Sequence, residues 1–340
     1  MKAAVYLDVG QVSIQEKPTP DVSAEAALVK VVYSGICGSD LWILSGRHPR
    51  AKRFLTFGHE FMGRIDKVHE ENESGLQVGD LVVVNPLLGC GNCFMCKRGN
   101  TSNCIKLRMI GIDFDGGMAE YAAVPLANLI KIRNKYCIEK NLALTEPVAV
   151  AIHAIHQSGI KKDDSTLIIG AGPIGLLLAY TLNFLQTKKV IIAEIAPGRI
   201  ELAQKISDVH VVDGRSVDMV QEILSYNNNE QIDYVFEASG SRNGIEISLG
   251  VVAPKGKVVQ VGVHEEKREI DLVNVVFKEI HIMGVRVYTE GDFLEAIDIL
   301  NTKGYNPQFV VTHVFPLEDV KKALDTIYSG NSVGKVLISP

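Results

Sequence analysis

The sequence predicts an α/β chain in two domains, a doubly wound parallel sheet joined to a β-rich domain built from both chain ends. Three observations predict it. From about Thr145 to about Val285 strand-like and helix-like segments alternate, as in a parallel sheet with crossover helices. Before Thr145, short apolar runs are punctuated by Gly, Pro and Asp, as in sheets joined by tight turns. The length of 340 residues with 46% hydrophobic content suits about two domains at roughly 100–200 residues each.

Composition removes several classes of function. Charged residues make up 22% and mean hydropathy is +0.13, which excludes intrinsic disorder. A net charge of −5 gives no support for nucleic-acid or anionic-membrane binding. No apolar run approaches the roughly 18 residues of a membrane span. The opening MKAAVYLDVG lacks the apolar stretch and cleavage site of a signal peptide, so the expected compartment is the cytoplasm.

In the first half, strands are expected at Lys2–Leu7, Ala27–Val32, Gly63–Val68 and Asp80–Val84, with Glu70–Glu73 a solvated loop. A helix follows over Glu146–Gln157, with Pro147 in its first turn, where a missing N–H costs nothing. The alternation then runs strand Ser165–Ile169, helix Ile174–Leu185, strand Lys189–Ala193, helix Gly198–Ile206 and strand Val209–Val212. A helix around Asp218–Tyr226 and strands Tyr234–Glu237 and Lys257–Gly262 continue it. Two amphipathic helices, Gly291–Asn301 and Leu317–Ser329, and a last strand, Gly334–Ile338, return the chain to the first domain. The expected boundaries are 1–147 and 286–340 for the β-rich domain and 148–285 for the parallel sheet.

Between the first strand and first helix of the parallel sheet stands Gly170-Ala171-Gly172-Pro173-Ile174-Gly175. This G-x-G-x-x-G permits a tight turn and close approach of backbone to a pyrophosphate, at a helix N-terminus whose dipole favours anions. An acid, Glu194, ends the next strand 19 residues past Gly175, where its carboxylate can accept from both ribose hydroxyls of NAD and would repel the 2′-phosphate of NADP. The alternative is an ordinary strand-end acid. Arg199 can stack on adenine, cap a helix or attract a 2′-phosphate; the direct match of Glu194 favours NAD over NADP. Together these features predict a Rossmann cofactor domain. Val261 and Val263, after a strand end on the cofactor side, are candidates to line the nicotinamide.

Six cysteines include four within fifteen residues. Cys90-x2-Cys93-x2-Cys96-x7-Cys104 has the spacing of a compact four-thiolate site, suited to a structural Zn²⁺ with no open position. An iron–sulfur cluster is the rival. Cys37 and Cys137 stand apart. Cys37 in Gly-Ile-Cys-Gly-Ser-Asp and His59-Glu60 in Gly-His-Glu-Phe-Met-Gly offer a thiolate, an imidazole and a carboxylate, a donor set for a catalytic zinc. Spacing alone leaves open whether they converge or are a core thiol and a core histidine.

The whole chain resembles the zinc-dependent medium-chain dehydrogenases, the superfamily of alcohol, polyol and threonine dehydrogenases. The resemblance is carried by Gly35–Asp40, Gly58–Gly63, the cysteine cluster, Asp115–Tyr121 and Gly170–Gly175, in the family's order. It implies a GroES-like catalytic domain beside the Rossmann domain. It also implies that Cys37, His59 and Glu60 are ligands of a catalytic zinc and that Glu146 touches the zinc-bound water or joins the metal. Glu146-Pro147 resembles the polyol, diol and sugar-acid (sorbitol dehydrogenase-like) branch more than the primary-alcohol or threonine branches. Ser39 matches the family's proton-relay hydroxyl. Where many relatives carry a histidine five residues after the first cysteine, this chain has Trp42, whose indole can only donate. Val285 and Arg286 fall in the segment returning to the catalytic domain, where Arg286 can meet cofactor or substrate; an ordinary surface arginine is the alternative. His153 and His156 share a helix face and are expected to be structural.

The expected function is reversible oxidation of a secondary alcohol in a small polyol, diol or sugar acid to a ketone, with NAD as hydride acceptor. Threonine-type or simple secondary-alcohol oxidation is the alternative within the class, and a non-catalytic, zinc-structured NAD-binding protein is the alternative outside it. The family resemblance implies a homodimer or homotetramer, with Val275–Ile282 a candidate edge segment.

Overall fold

The computed structural model describes residues 1–70, 72, 74–133, 136, 138–264, 266–330 and 333–340. Cys137 and two acids of the expected acidic loop, Glu71 and Glu73, lie outside the described residues. The chain forms two units. One comprises Met1–Glu146, Thr289–Ser329 and Lys335–Pro340; the other comprises Pro147–Tyr288 and Gly330–Gly334.

The first unit is β-rich. It opens with β1 (Lys2–Asp8), β2 (Gln11–Glu16) and β3 (Ala26–Gly35), then α1 (Gly38–Leu44). There follow β4 (Leu55–Thr56), β5 (Glu60–Lys67), β6 (Leu81–Val84), β7 (Leu87–Leu88), β8 (Arg108–Met109), β9 (Tyr121–Pro125) and β10 (Leu129–Lys131). The chain crosses to the second unit along α2 (Thr145–Ser158).

The second unit alternates as expected: β11 (Ser165–Ile169), α3 (Pro173–Phe184), β12 (Lys189–Glu194), α4 (Pro197–Ala203), β13 (Val209–Asp213), α5 (Met219–Tyr226) and β14 (Ile232–Glu237). It is completed by α6 (Arg242–Val251), β15 (Val252–Gln260), α7 (Leu272–Lys278) and β16 (His281–Gly284). The return segment carries α8 (Glu290–Leu300), β17 (Val311–Pro316), α9 (Val320–Ser329) and β18 (Lys335–Ser339).

In the second unit all six strands are parallel, in the order β13-β12-β11-β14-β15-β16. The order reverses between β11 and β14, the switch point at whose carboxyl edge open α/β sheets bind ligands. Leu167, Ile191, Val235 and Val258 sit side by side in the core of this sheet, each buried side chain contributing roughly 1.5–3 kcal/mol. In the first unit, β3 pairs with β5, β9 and β18, so the last strand of the chain lies against an early one. Its core gathers Val29, Phe61, Ile65, Val82 and Val124.

Several elements differ from the sequence expectation, each for a local reason. α1 has no apolar periodicity long enough to announce it, and its Gly-Ser-Asp start reads as a turn. The third expected strand begins at Glu60 rather than Gly63, which places the acid itself in the sheet. The strand expected to start at Lys257 starts at Val252 and contains a register shift around a left-handed Lys255 (φ 62°). The segment Val275–Ile282 is not one strand: α7 runs to Lys278, and the edge strand begins at His281. Among the described residues no helix is long and apolar enough to cross a membrane.

Candidate active site, metal centres and dinucleotide loop

Cys37 caps the start of α1, and its backbone N–H donates to Asp40 Oδ2 at 2.8 Å, which ties the cysteine to the acid three residues on. His59 precedes β5, and Glu60 is its first residue. The ligand atoms of Cys37, His59 and Glu60 all lie within 4.8 Å of one another. The thiol, imidazole and carboxylate that were separate motifs in sequence therefore converge. Asp40 stands behind His59, with Oδ1 3.8 Å from Nδ1, and neither atom has a hydrogen-bond partner among the described residues. That leaves Nε2 as the nitrogen free to hold a metal, with a carboxylate behind the ring to fix its tautomer.

Electrostatics at this centre favour a cation. Burial pushes the Asp40 carboxyl up to about 6, against the opposing pull of His59 and of the Cys37 N–H. Burial alone would lower the His59 pKa, but the charges of Cys37, Asp40 and Glu146 outweigh it and raise it well above the ordinary imidazole value. Glu146, the second residue of α2, is buried and close enough to influence both His59 and Lys335, but it is not part of the three-residue ligand group.

The partner of Glu60 comes from the far end of the chain. Lys335, on β18, donates to both carboxylate oxygens, at 2.7 and 2.6 Å, and to the Ile36 carbonyl at 3.2 Å. Register explains the meeting. Gly35 of β3 lies opposite Glu60 on one side and Leu337 on the other. A Cβ at Gly35 would collide with the Glu60 carboxylate, so glycine leaves the space across which acid and lysine meet. The only signal in the sequence is a lone lysine in an otherwise apolar final strand.

Ser39 is the second residue of α1, and its Oγ is buried without a hydrogen-bond partner among the described residues. Trp42 follows one helical turn on, half-buried, with His48 edge-on to it at 5.7 Å. His48 Nδ1 accepts from the N–H groups of Ala51 (3.2 Å) and Arg50 (3.4 Å). Burial and the Arg50 charge lower its pKa, Asp113 opposing and His59 adding to the effect. With its lone pair engaged, His48 is not a ready proton acceptor in place of the absent residue-42 imidazole.

Cys90, Cys93, Cys96 and Cys104 gather into a second group, with Sγ atoms 3.5 Å apart for Cys93–Cys96 and 3.9 Å for Cys93–Cys104. A disulfide would need about 2.05 Å, whereas four thiolates around one zinc at about 2.3 Å stand about 3.8 Å apart. An iron–sulfur cluster interposes several atoms between its thiolates and needs a wider cage. Backbone N–H groups of Cys96 and Ile105 bring the Cys93 thiol down to about 6, and N–H groups of Cys90 and Lys106 lower that of Cys104. Burial and neighbouring thiols push Cys96 up to about 11.

In the second unit the G-x-G-x-x-G loop links β11 to α3. Gly170 has φ 98°, and a Cβ on Gly175 would run into the Gly170 carbonyl, so both positions need glycine to close the turn. A Cβ on Gly172 would meet nothing, which leaves backbone open to a pyrophosphate. Pro173 and Ile174 open α3. Glu194 ends β12, buried, with Oε2 accepting from the Ala171 N–H (2.7 Å) and Oε1 from those of Ile195 (2.7 Å) and Ala196 (2.9 Å). It thus ties the strand end to the loop, and Oε2 retains a lone pair for a ribose hydroxyl. Arg199, in α4, has a buried Nε with no hydrogen-bond partner among the described residues. Val261 follows β15 and donates its N–H to the Glu237 carbonyl (2.9 Å), Val263 is exposed, and Val285 donates to the Gln260 carbonyl (3.1 Å). Arg286 is exposed.

Residues 23–134 match the alcohol dehydrogenase GroES-like domain, and residues 173–302 match the zinc-binding dehydrogenase family. The sorbitol dehydrogenase of Halalkalibacterium halodurans is 31% identical, covering 100% of this chain and 99% of its own. The L-threonine 3-dehydrogenase of Caldanaerobacter subterraneus is 32% identical over 96% of this chain and 95% of its own. Two solved structures superpose with a TM-score of 0.92 at 29% identity, each over 100% of this chain and 99% of its own. One is the alcohol dehydrogenase RspB from Escherichia coli complexed with NADH; the other is a zinc-binding dehydrogenase from Sinorhizobium meliloti bound to NADP. With its motifs, its fold and these full-length relatives in agreement, the chain belongs to the zinc-binding alcohol dehydrogenase family, a GroES-like domain joined to a Rossmann domain.

Proposed function

We propose that this protein is a zinc-dependent, NAD-linked dehydrogenase that interconverts a secondary alcohol of a polyol, diol or sugar acid with the ketone. The observation that carries the reading is the convergence of Cys37, His59 and Glu60 beside buried Asp40 and Glu146. Cys37, Asp40 and Glu146 all act to raise the His59 pKa, so this cluster of acidic groups draws positive charge to the imidazole, a demand that a divalent ion at the same place would meet. A catalytically silent NAD-binding protein has no use for such a centre. When bound, zinc would supply Lewis acidity towards the substrate hydroxyl and NAD a hydride acceptor.

The protein's own residues do the rest. Cys37 and His59 would hold the catalytic ion, with Glu60 or Glu146 completing the set and Asp40 orienting His59. Ser39 Oγ, buried and without a hydrogen-bond partner among the described residues, would accept the alcohol proton and pass it towards solvent. Trp42 serves as a wall with a single donor. The four clustered cysteines would hold the structural ion. Glu194, next to the Gly170–Gly175 loop, favours NAD over NADP by offering a carboxylate where a 2′-phosphate would sit. Its three amide partners hold it in place beside the loop.

The test is dinucleotide reduction, with NAD and NADP in parallel, across vicinal diols, pentitols, hexitols, aldonic acids, threonine and short secondary alcohols. A signal that a chelator abolishes, strongest with NAD and a polyhydroxy substrate, is the expected result. Threonine as the best substrate would move the protein to another branch. Silence with one zinc per chain would end the catalytic reading.

Two outcomes follow for the rest of the molecule. Cys93→Ser is expected to lower the thermal midpoint by several degrees and remove one zinc per chain, because the ion cross-links a loop with little apolar core of its own. Metal analysis and calorimetry check both. The family's dimers or tetramers would form through β16, which has no partner strand on its outer side among the described residues, and α7 beside it, where Phe277 is 84% exposed and Val276 72%. Phe277→Glu is expected to shift the sedimentation coefficient towards that of the monomer; an unchanged value would place the interface elsewhere.

A further inference from the structure

The carboxyl edge of the parallel sheet carries a buried acid and imidazole that the chemistry above leaves unused. Glu237 ends β14 and is fully buried. Its carboxylate accepts from the N–H of Ser239 (2.9 Å), the N–H of Gly240 (3.1 Å to either oxygen), the Ser239 hydroxyl and the Gln260 amide (2.5 Å). Each partner donates, so the acid is fixed in place by a ring of hydrogen bonds. Cβ atoms at Gly244 or Gly262 would collide with it, so the first turn of α6 and the loop after β15 both close over the acid.

Beside it stands His264, in the loop that follows β15. Its Nε2 lies 3.6 Å from Glu237 Oε2. Both ring nitrogens are buried, and neither has a hydrogen-bond partner among the described residues. Burial of an unsatisfied polar group is costly, so an imidazole orphaned at both nitrogens marks a place where a bound molecule supplies the missing partner.

Topology identifies that molecule. The strand order reverses between β11 and β14. With the pyrophosphate on the Gly170–Gly175 loop and the adenosine ribose towards Glu194 at the end of β12, the other nucleoside of a dinucleotide lies over the ends of β14 and β15. His264 is on that side. Polarity identifies the atom. The nitrogen facing the carboxylate carries the proton, which makes Nδ1 an acceptor.

We propose that His264 Nδ1 accepts a hydrogen bond from the nicotinamide nucleoside of the bound cofactor, with Glu237 fixing the tautomer that makes it an acceptor. The donor is the carboxamide N–H or a ribose hydroxyl. His264 is thus a binding residue for one half of the cofactor, and Glu237 is a positioning residue that acts through it. The inference rests on the NAD-linked reading.

The experiment measures binding of NADH, of its acetylpyridine analogue and of AMP to the zinc-loaded protein by calorimetry, without turnover. His264→Phe, which keeps the ring's bulk without an acceptor, is expected to weaken NADH about tenfold and leave AMP and the cofactor-free melting midpoint unchanged. His264→Asn, with Oδ1 near the position of Nδ1, is expected to restore most of the loss. A penalty that disappears with the acetylpyridine analogue, which has no carboxamide N–H, assigns the donor to the carboxamide; one that persists assigns it to the ribose. NADH binding unchanged in His264→Phe, or NADH and AMP weakened alike, overturns the inference while the NAD-linked reading stands. A parent protein that binds neither NADH nor NADPH removes both. Should His264→Phe fail to fold, His264→Ala carries the same expectations.

Discussion

Cys37→Ser is expected to abolish dehydrogenase turnover, by about 10³-fold or more, and to remove one of two zinc ions per chain. A serine hydroxyl is not ionised near neutral pH, so a metal held by Cys37 would lose an anionic ligand and the site one of the charges that would draw a cation into it. Metal stabilisation of a developing alkoxide is worth several kcal/mol, and each 1.36 kcal/mol is about tenfold in rate. The fold should hardly notice. Cys37 is only half-buried, and the N–H that binds Asp40 remains in serine. The contrast with Cys93→Ser is diagnostic, since that change should cost stability first and leave the Cys37 centre its own ion. Turnover at the parental rate with a single zinc per chain would mean that Cys37 is a core thiol and that the cysteine cluster is the only metal site.

The two constellations differ in how far the sequence reveals them. The four clustered cysteines are legible because a short loop forces their proximity, and the structure finds their sulfurs at single-ion spacing. The Gly170–Gly175 loop is legible because it must stand between a strand and a helix. Cys37 and His59-Glu60 come together only because β3 and β5 pair so that Gly35 faces Glu60, a register that local pattern does not encode. Family resemblance supplied what spacing alone left open. Lys335 was beyond both readings. It lies 275 residues from Glu60, and one lysine in a final apolar strand reads as an edge residue until topology places β18 against β3. Asp40 and His264 were passed over for a related reason: each matters through a neighbour contributed by a different segment, His59 for one and Glu237 for the other. The alternating strands and helices of the second unit were plain, whereas α6 and α7 were not, since α6 sits among Ser, Arg, Asn and Gly and α7 is short and apolar on its exposed face.

Lys335→Met is expected to produce the largest loss of stability of any single change considered, and the loss should depend on zinc. Lys335 is 3% exposed and Glu60 1%. Burial pushes the lysine pKa down, but Glu60, Cys37 and Glu146 raise it beyond the ordinary value, so the lysine keeps its charge in the folded protein. Methionine keeps the stem and removes the charge, leaving Glu60 as a buried carboxylate without its cation and the Ile36 carbonyl without its donor. Breaking such a pair costs about 3–5 kcal/mol, mostly the penalty of the stranded charge. Replacing Glu60 by Gln in the same protein should recover much of that loss, since the stranded charge goes with it. Zinc provides the sharper discrimination. If Glu60 is a ligand, an ion at Cys37 and His59 gives the orphaned carboxylate a new partner, and unfolding midpoints should show a penalty much smaller in the zinc-loaded protein than in the chelated one. A penalty of equal size in both would show that Glu60 answers only to Lys335, and would leave Glu146 as the carboxylate that serves the metal.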